Sequence, residues 1–469
     1  MRLKKIMTLF LAVLMCMFAL SANVSAAESK GIKLNKSKIT LTVNKSYTLK
    51  PTVTGYSKYT IQWSTSDKEV VSIKKGGVIT AKKAGTATIT AKIKGTKYKA
   101  TCKVTVKKAT SANKNTSSNN NTTSNKSSSS AQEFVDKLNV GWNLGNTLDC
   151  YNCKSWVSNE LDFESAWGNP KTTKAMISAV KKAGFNTVRI PVSWGEHMDS
   201  DGKVSKEWLD RVQTVVDYAY GNDMYVILNT HHENGWIKLD EKSEKAVTKK
   251  FTYLWKQIAE RFKDYDERLI FEGLNEPRTE GSAQEWNGGT AAERKVLNNY
   301  LSAFVETVRS TGGNNKTRYL MLTPYGASTS TSALSDLKLP DDDRIIISVH
   351  AYLPYNVALN RYSKDTKLTD NNKKEIDSAF SNINKVFISK GIPVIMGEFG
   401  AINKSNTAER VEIAKYYLSA ANKYGVPCCW WDNGTICSPS EGEGLGLLNR
   451  KTLEWYYPEI VKALIEAAK

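Results

Sequence analysis

Two glutamates in this chain stand where hydrolytic chemistry would need them. Glu276, in Asn275-Glu276-Pro277, and Glu398, in Met396-Gly397-Glu398, each follow a short apolar run. One protonated carboxyl and one ionised carboxylate flanking an acetal carbon are what glycosidic cleavage requires. Glu276 is expected to be the acid/base, kept protonated by the charge of Glu398 and by partial burial. Glu398 is expected to be the nucleophile, held ionised by Arg189 and hydrogen-bonded by the Tyr352 hydroxyl. Asn275 is placed to meet a sugar 2-hydroxyl, a contact that strengthens in an oxocarbenium-like transition state. His231, His232, His350, Asn146 and the pair Trp430-Trp431 complete the set. Adjacent strand residues face opposite ways, so one of the two tryptophans lines a cleft, and Trp430 is the expected one.

Taken singly, each of these residues has a plainer explanation. Pro277 can simply end a strand, Glu398 can serve a helix N-terminus, and both tryptophans can be core. The weight lies in their joint occurrence in order. His231-His232-Glu233 lacks the i, i+4 spacing of a helical zinc motif, so no metal is expected. No cofactor is expected either, because no glycine-rich phosphate loop follows the first strand, and no G-x-S-x-G announces a serine hydrolase.

The elements that must position these groups are legible from residue 133 onward. Apolar strands are expected at 140–144, 187–191, 225–229, 269–274, 319–323, 345–350, 393–398 and 427–431. Most alternate with amphipathic helices, expected at 175–183, 208–220, 247–262, 298–308, 408–421 and 457–468. Eight strand–helix repeats point to an α/β fold, a (β/α)8 TIM barrel, whose chemistry gathers at the C-terminal ends of its strands. The residues singled out above fall at those ends. Aromatic rings suited to stacking on the apolar faces of sugars follow the strands: Trp156, Trp167, Trp194, Trp236, Trp286, Tyr355 and Tyr362. About half are expected to be structural.

The first 132 residues are of another kind. Arg2, Lys4 and Lys5 precede an apolar run from Met7 to Leu20 and a small-residue site at Val24-Ser25-Ala26, so residues 1–26 read as a cleaved export signal. The run is too short to span a bilayer, and no later stretch is long and apolar enough. Residues 27–108 alternate apolar and polar residues in short strands and read as a small antiparallel β-sandwich. They hold 19 Lys against three acids, so the formal charge of +19 belongs largely to this module, and residues 133–469 are near neutral. Few aromatics accompany those lysines, and nucleic acid is not an expected partner; anionic cell wall is. Residues 109–132, almost all Ser, Asn, Thr and Lys, read as a flexible linker. After the leader, six cysteines remain, expected as buried thiols with at most one disulfide.

Arg189, His231, Asn275-Glu276, His350, Tyr352, Glu398 and Trp430 together resemble the pattern of glycoside hydrolase family 5 over about 139–465. Three further stretches look like its subfamily 4 endoglucanases: Gly141-Trp-Asn-Leu-Gly-Asn-Thr-Leu-Asp149, His231-His-Glu-Asn-Gly-Trp236 and Trp430-Trp-Asp-Asn-Gly434. The resemblance implies a retaining, secreted endo-β-1,4-glucanase acting on β-glucan, with xyloglucan, mixed-linkage glucan or xylan as further substrates. On this reading His231, His232, Asn146 and Trp236 serve the substrate, and the enzyme works as a monomer. A mannanase or xylanase of the same fold and a non-catalytic carbohydrate-binding surface protein are the alternatives. Trp63-Ser-Thr-Ser-Asp and the run from Gly77 to Ile89 resemble the bacterial immunoglobulin-like domain, group 2.

Overall fold

The computed structural model describes residues 30–107 and 130–468, apart from positions 44, 45, 75 and 234. The expected leader and most of the expected linker lie outside the described residues. The chain divides into two units, 1–123 and 124–469.

The first unit is all β. Its strands are β1 (Gly31–Leu34), β2 (Lys38–Thr42), β3 (Ser46–Thr48), β4 (Pro51–Thr54), β5 (Ile61–Thr65), β6 (Val71–Ile73), β7 (Val78–Ala81), β8 (Gly85–Ile93) and β9 (Lys99–Lys107). They form sheets ordered β2-β9-β8-β5, β3-β7-β6 and β1-β4. Period-two alternation brings Ala87 and Ile89 of β8 and Cys102, Val104 and Val106 of β9 into one buried cluster. The expected antiparallel arrangement needs one correction: β2 pairs with β9 in parallel. Alternation specifies which face a strand buries but not which way its neighbour runs.

The second unit is a closed barrel of eight parallel strands. Helix α1 (Ser130–Val135) precedes it, beginning inside the stretch read as linker. The staves are β10 (Gly141–Leu144), β11 (Thr187–Ile190), β12 (Tyr225–Asn229), β13 (Leu269–Glu272), β14 (Leu320–Leu322), β15 (Ile345–His350), β16 (Val394–Phe399) and β17 (Cys428–Asp432). Around them run α2 (Lys174–Ala183), α3 (Lys206–Tyr220), α4 (Glu241–Phe262), α5 (Ala291–Ser310), α6 (Thr331–Asp336), α7 (Tyr355–Ala358), α8 (Asp370–Val386), α9 (Thr407–Asn422) and α10 (Pro458–Ala467). Helix α8 was not among the expected helices; Asn, Lys and Ser dilute its apolar stripe of Ile376, Phe380 and Ile383.

Every stave residue but Tyr225 is buried, and alternation sorts them into two sets. Outward residues such as Val188, Leu228, Phe271, Ile347, Met396 and Trp430 join the helix faces in one large core. Inward residues at the N-terminal end, Ile227, Ile270, Met321, Ile346, Ile395 and Cys429, form a separate apolar floor. Helix α1 plugs that floor: Phe134 stacks on Tyr319 at 3.9 Å between centroids and meets Tyr225 edge-on at 5.5 Å. Each fully buried side chain of this kind contributes about 1.5–3 kcal/mol. Among the described residues no helix is long and apolar enough to cross a membrane.

Candidate active site

One turn above the apolar floor, the inward positions become polar. Asn143, Arg189, Asn229, Glu272 and Ser348 are fully buried. Arg189 lies at their centre. Its Nε donates to Glu272 at 2.8 Å, one Nη donates to Asn143 at 3.0 Å and to Glu398 at 2.7 Å, and the other donates to Asn275 at 2.7 Å. Burial opposes this cation, but the two carboxylates outweigh that cost and raise its pKa further. Glu272 is completed by Asn229 at 3.0 Å and by the Ser348 hydroxyl. A buried charge must be paired and hydrogen-bonded to persist, and here it is.

Above this layer opens a cleft of about 930 Å³. Glu276, Glu398, Asn275, His231, His232, His350, Tyr352 and Asn146 all line it. Glu398 accepts from Arg189 on one oxygen and from the Tyr352 hydroxyl, at 2.7 Å, on the other. Glu276 meets His350 Nδ1 at 2.9 Å. Carboxylate oxygens of Glu276 and Glu398 and a ring nitrogen of His350 lie within 4.8 Å of one another. Gly397 is needed for this approach, since a Cβ there would sit 2.9 Å from His350 Nε2 and 3.0 Å from Ser348 Oγ.

The expectation for Glu276 needs correcting in the free site. Burial raises its pKa, as anticipated. The hydrogen bond and charge of His350 and the charges of Arg278 and Arg189 together outweigh burial, and Glu276 lies below the ordinary glutamate value. The two histidines just beyond β12 are pushed toward the neutral form. Burial drives His231 well below its usual value and His232 down to about 4. Asn229 settles the tautomer of His231. Its Oδ1 accepts from the Val192 amide, so its Nδ2 donates both to Glu272 and, at 3.0 Å, to His231 Nδ1. The ring proton therefore sits on Nε2.

Two expected substrate contacts fail. Trp430 points outward with Cys428, packs edge-on against Phe399 and donates Nε1 to the Leu445 carbonyl. Trp431, which shares the inward parity of Cys429, lines the cleft and stacks on His231 at 5.5 Å and 5°. Cys-Cys-Trp-Trp carries no apolar–polar alternation, so parity could not be read from it. Trp236 does not line the cleft. Its Nε1 donates to Glu233, which also accepts from the amides of Trp194 and Gly195, and Lys250 covers its ring at 4.5 Å. Trp167, Trp286 and Tyr355 are in the cleft lining. Trp194 is fully buried, and Trp156 and Tyr362 are exposed outside the lining.

Tyr151, Glu272 and Arg278 were not anticipated. Tyr151 tilts against His232 at 4.4 Å. The signal for Glu272 was a charge inside the apolar run Leu269-Ile-Phe-Glu272. Among the described residues, Glu276–His350–Glu398 and Asp149–His231–His232 have the spacing of metal ligands. Both are already occupied by the protein: Arg189 and Tyr352 hold Glu398, and the amides of Asn146 and Thr147 hold Asp149 at 3.0 and 2.6 Å. All six cysteines described are free thiols, so the one disulfide allowed for is not formed.

A parallel eight-stranded barrel with paired carboxylates at the C-terminal ends of its strands is the framework of a barrel glycosidase. The family Cellulase (glycosyl hydrolase family 5) matches residues 146–435. Endoglucanase A of Clostridium longisporum is 50% identical over 343 residues, covering 72% of this chain and 66% of that protein. Endoglucanase 1 of Ruminococcus albus is 49% identical over 341 residues, covering 71% and 80%. The solved structure of a GH5-4 broad specificity endoglucanase from Clostridium longisporum has 48% identity and a TM-score of 0.69, covering 73% of this chain and 99% of that one. The chain belongs to glycosyl hydrolase family 5, the cellulase family. Its activity is that of an endo-β-1,4-glucanase, a glycoside hydrolase.

Proposed function

We propose that the enzyme cleaves internal β-1,4 bonds of glucans with retention, by double displacement, with Glu398 as nucleophile and Glu276 as acid/base. The observation that carries this reading is the closeness of the two carboxylates, with oxygens within 4.8 Å. Carboxyls about 5–5.5 Å apart suit direct attack on the sugar, whereas inverting pairs stand about 6.5–9.5 Å apart to admit a water. In the first step Glu398 bonds to the anomeric carbon while Glu276 gives its proton to the departing oxygen. In the second, Glu276 takes a proton from water as that water displaces Glu398.

The supporting groups follow from their partners. Arg189 and Tyr352 each engage one oxygen of Glu398, which fixes the orientation of the carboxylate. Asn275 Oδ1 accepts from Arg189, leaving Nδ2 to donate to the 2-hydroxyl. A sugar that closes the cleft removes water, strengthens the effect of burial on Glu276 and favours the proton on the carboxyl. Trp431, Trp167 and Tyr151 offer apolar faces to glucose rings. An open cleft and the broad specificity named for the Clostridium longisporum enzyme support xyloglucan, mixed-linkage glucan and xylan as additional substrates.

The enzyme is exported, works as a monomer, and carries a group 2 immunoglobulin-like module that touches anionic wall polymer. Charge supports the wall contact. The register sets Lys38 opposite Lys103 and Lys92 opposite Lys99 on exposed positions, like-charge pairs that a sheet tolerates better against anions. Full-length protein should bind isolated cell wall at low salt and release it at high salt; no binding would leave the module a spacer.

The catalytic reading is tested by proton NMR of fresh cellohexaose digests. The β-anomer should appear first and mutarotate to α. Initial release of the α-anomer would overturn the double displacement.

A further inference from the structure

Trp286, in the loop after β13, is 62% exposed and lines the catalytic cleft. The guanidinium of Arg278 lies over its ring, 4.5 Å from the centroid. The same guanidinium is anchored on several sides. Its Nε donates to Glu285 at 3.0 Å and one Nη donates to Glu280 at 3.3 Å. The other Nη donates to the backbone carbonyl of Glu276 at 3.1 Å and stands 3.7 Å from that residue's carboxylate. With 15% of its side chain exposed, Arg278 is screened only partly by solvent.

No residue of the buried ion network duplicates this placement. Arg189 spends its contacts on Glu272, Glu398, Asn143 and Asn275. The other titratable groups facing Glu276 are His350 from β15, Glu398 from β16, Tyr352 beyond β15, and the neutral His231 and His232 after β12. Arg278 is the cation that touches both Glu276 and an exposed aromatic face. A cation beneath an indole fixes the ring and leaves its other face for a sugar's C–H surface. The ring beside the acid belongs on the side of the departing chain, because the acid must reach the oxygen that leaves with it.

We propose that Arg278 is a positioning residue with two linked tasks: it props Trp286 as the stacking platform for the departing sugar chain, and it holds positive charge against the carboxyl that protonates that chain's oxygen. Arg278 exchanges no proton itself. The proton passes from Glu276 to the glycosidic oxygen as the C1–O bond breaks and the bond from Glu398 to C1 forms. The proposal rests on the acid/base reading of Glu276. Removing a nearby cation weakens a carboxylic acid, by about one pH unit at this kind of distance.

The experiment measures kcat and KM against pH for the full chain and for Arg278→Met, Arg278→Lys and Trp286→Ala, on cellohexaose and on 2,4-dinitrophenyl β-cellobioside. The alkaline limb of Arg278→Met on cellohexaose should move up by about one pH unit, with KM raised several-fold. Trp286→Ala should raise KM equally and leave the limb in place. Arg278→Lys should keep the limb near its original position while KM rises, since an ammonium supplies charge without the fork that steadies the indole. Dinitrophenolate leaves without a proton, so the rate of its first-turnover burst should be insensitive to Arg278→Met. An unmoved alkaline limb in Arg278→Met, or unmoved KM in Arg278→Lys should the first variant fail to fold, would overturn the proposal. Glu276→Gln separates the two readings: it should abolish cellohexaose cleavage yet keep a burst of dinitrophenolate. Loss of both reactions would remove the acid/base role itself, whatever Arg278 does.

Discussion

The two ends of the barrel interior are built on opposite principles. At the floor, Phe134, Ile227, Ile270, Tyr319, Met321 and Ile346 form one apolar cluster with stacked rings, at whose edge the Tyr319 hydroxyl accepts from Arg344 at 2.9 Å. One turn higher, Arg189, Glu272, Glu398, Asn143 and Asn229 fill the same cylinder with charge and amide. The floor stabilises the fold by removing apolar surface from water. The polar layer gains little net stability from burying ions, yet it holds two carboxylates in fixed orientation beneath an open cleft. Stability and chemistry are thus separated along one axis, a few ångströms apart, and mutations on either side should report separately.

The largest effect is expected at the rim. Glu398→Gln should lower turnover of carboxymethylcellulose roughly 10⁴-fold or more, with circular dichroism and melting unchanged; ordinary turnover would dissolve the distinction. Arg189→Met should damage both ends at once. It leaves Glu272 and Glu398 buried without their counter-ion, costing about 3–5 kcal/mol in urea unfolding, and activity should fall with stability. Phe134→Ala, by contrast, should cost a similar about 3–5 kcal/mol while kcat at low temperature holds. If its kcat fell as steeply as that of Arg189→Met, floor and rim would not be separable.

Smaller effects test the parity of strand β17. Trp431→Ala should raise KM for glucan roughly tenfold through lost stacking with melting little changed, and Trp430→Ala should do the reverse. A buried carboxyl supplies the pH test. Burial raises Glu233 to about 7 despite its amide and indole donors. A carboxyl raised above its unfolded value stabilises fully below that value, and the contribution is lost as pH climbs through the folded one. The melting temperature should therefore fall between about pH 4.5 and 7, and Glu233→Gln should flatten that slope. An equally steep slope in the variant would place its origin elsewhere, with Asp149, raised to about 6, the next group to examine.

Much of this arrangement is written in linear patterning. Short apolar runs mark all eight staves and 3.6-residue repeats mark most helices, because strands covered on both faces and helices covered on one leave those patterns in any chain that packs this way. The acids, the arginine, the histidines and Tyr352 are legible because each stands as a polar exception at the end of an apolar run. Local sequence also reveals the lysine-rich module as a body distinct from the near-neutral remainder.

Other features depend on distance across the fold. Cys428 to Trp431 is uniformly buried, so only the closed barrel decides which tryptophan faces sugar. Arg278 and His350 pull the Glu276 pKa down from a loop and from another strand, against the burial that raises it, and neither neighbour is visible along the chain. Arg189 contacts Glu398 across 209 positions of chain, and no local pattern encodes such a pair. Side-chain type and period are properties of neighbours along the backbone. Electrostatic fields and cleft shape sum over neighbours in space, and only the folded barrel defines those.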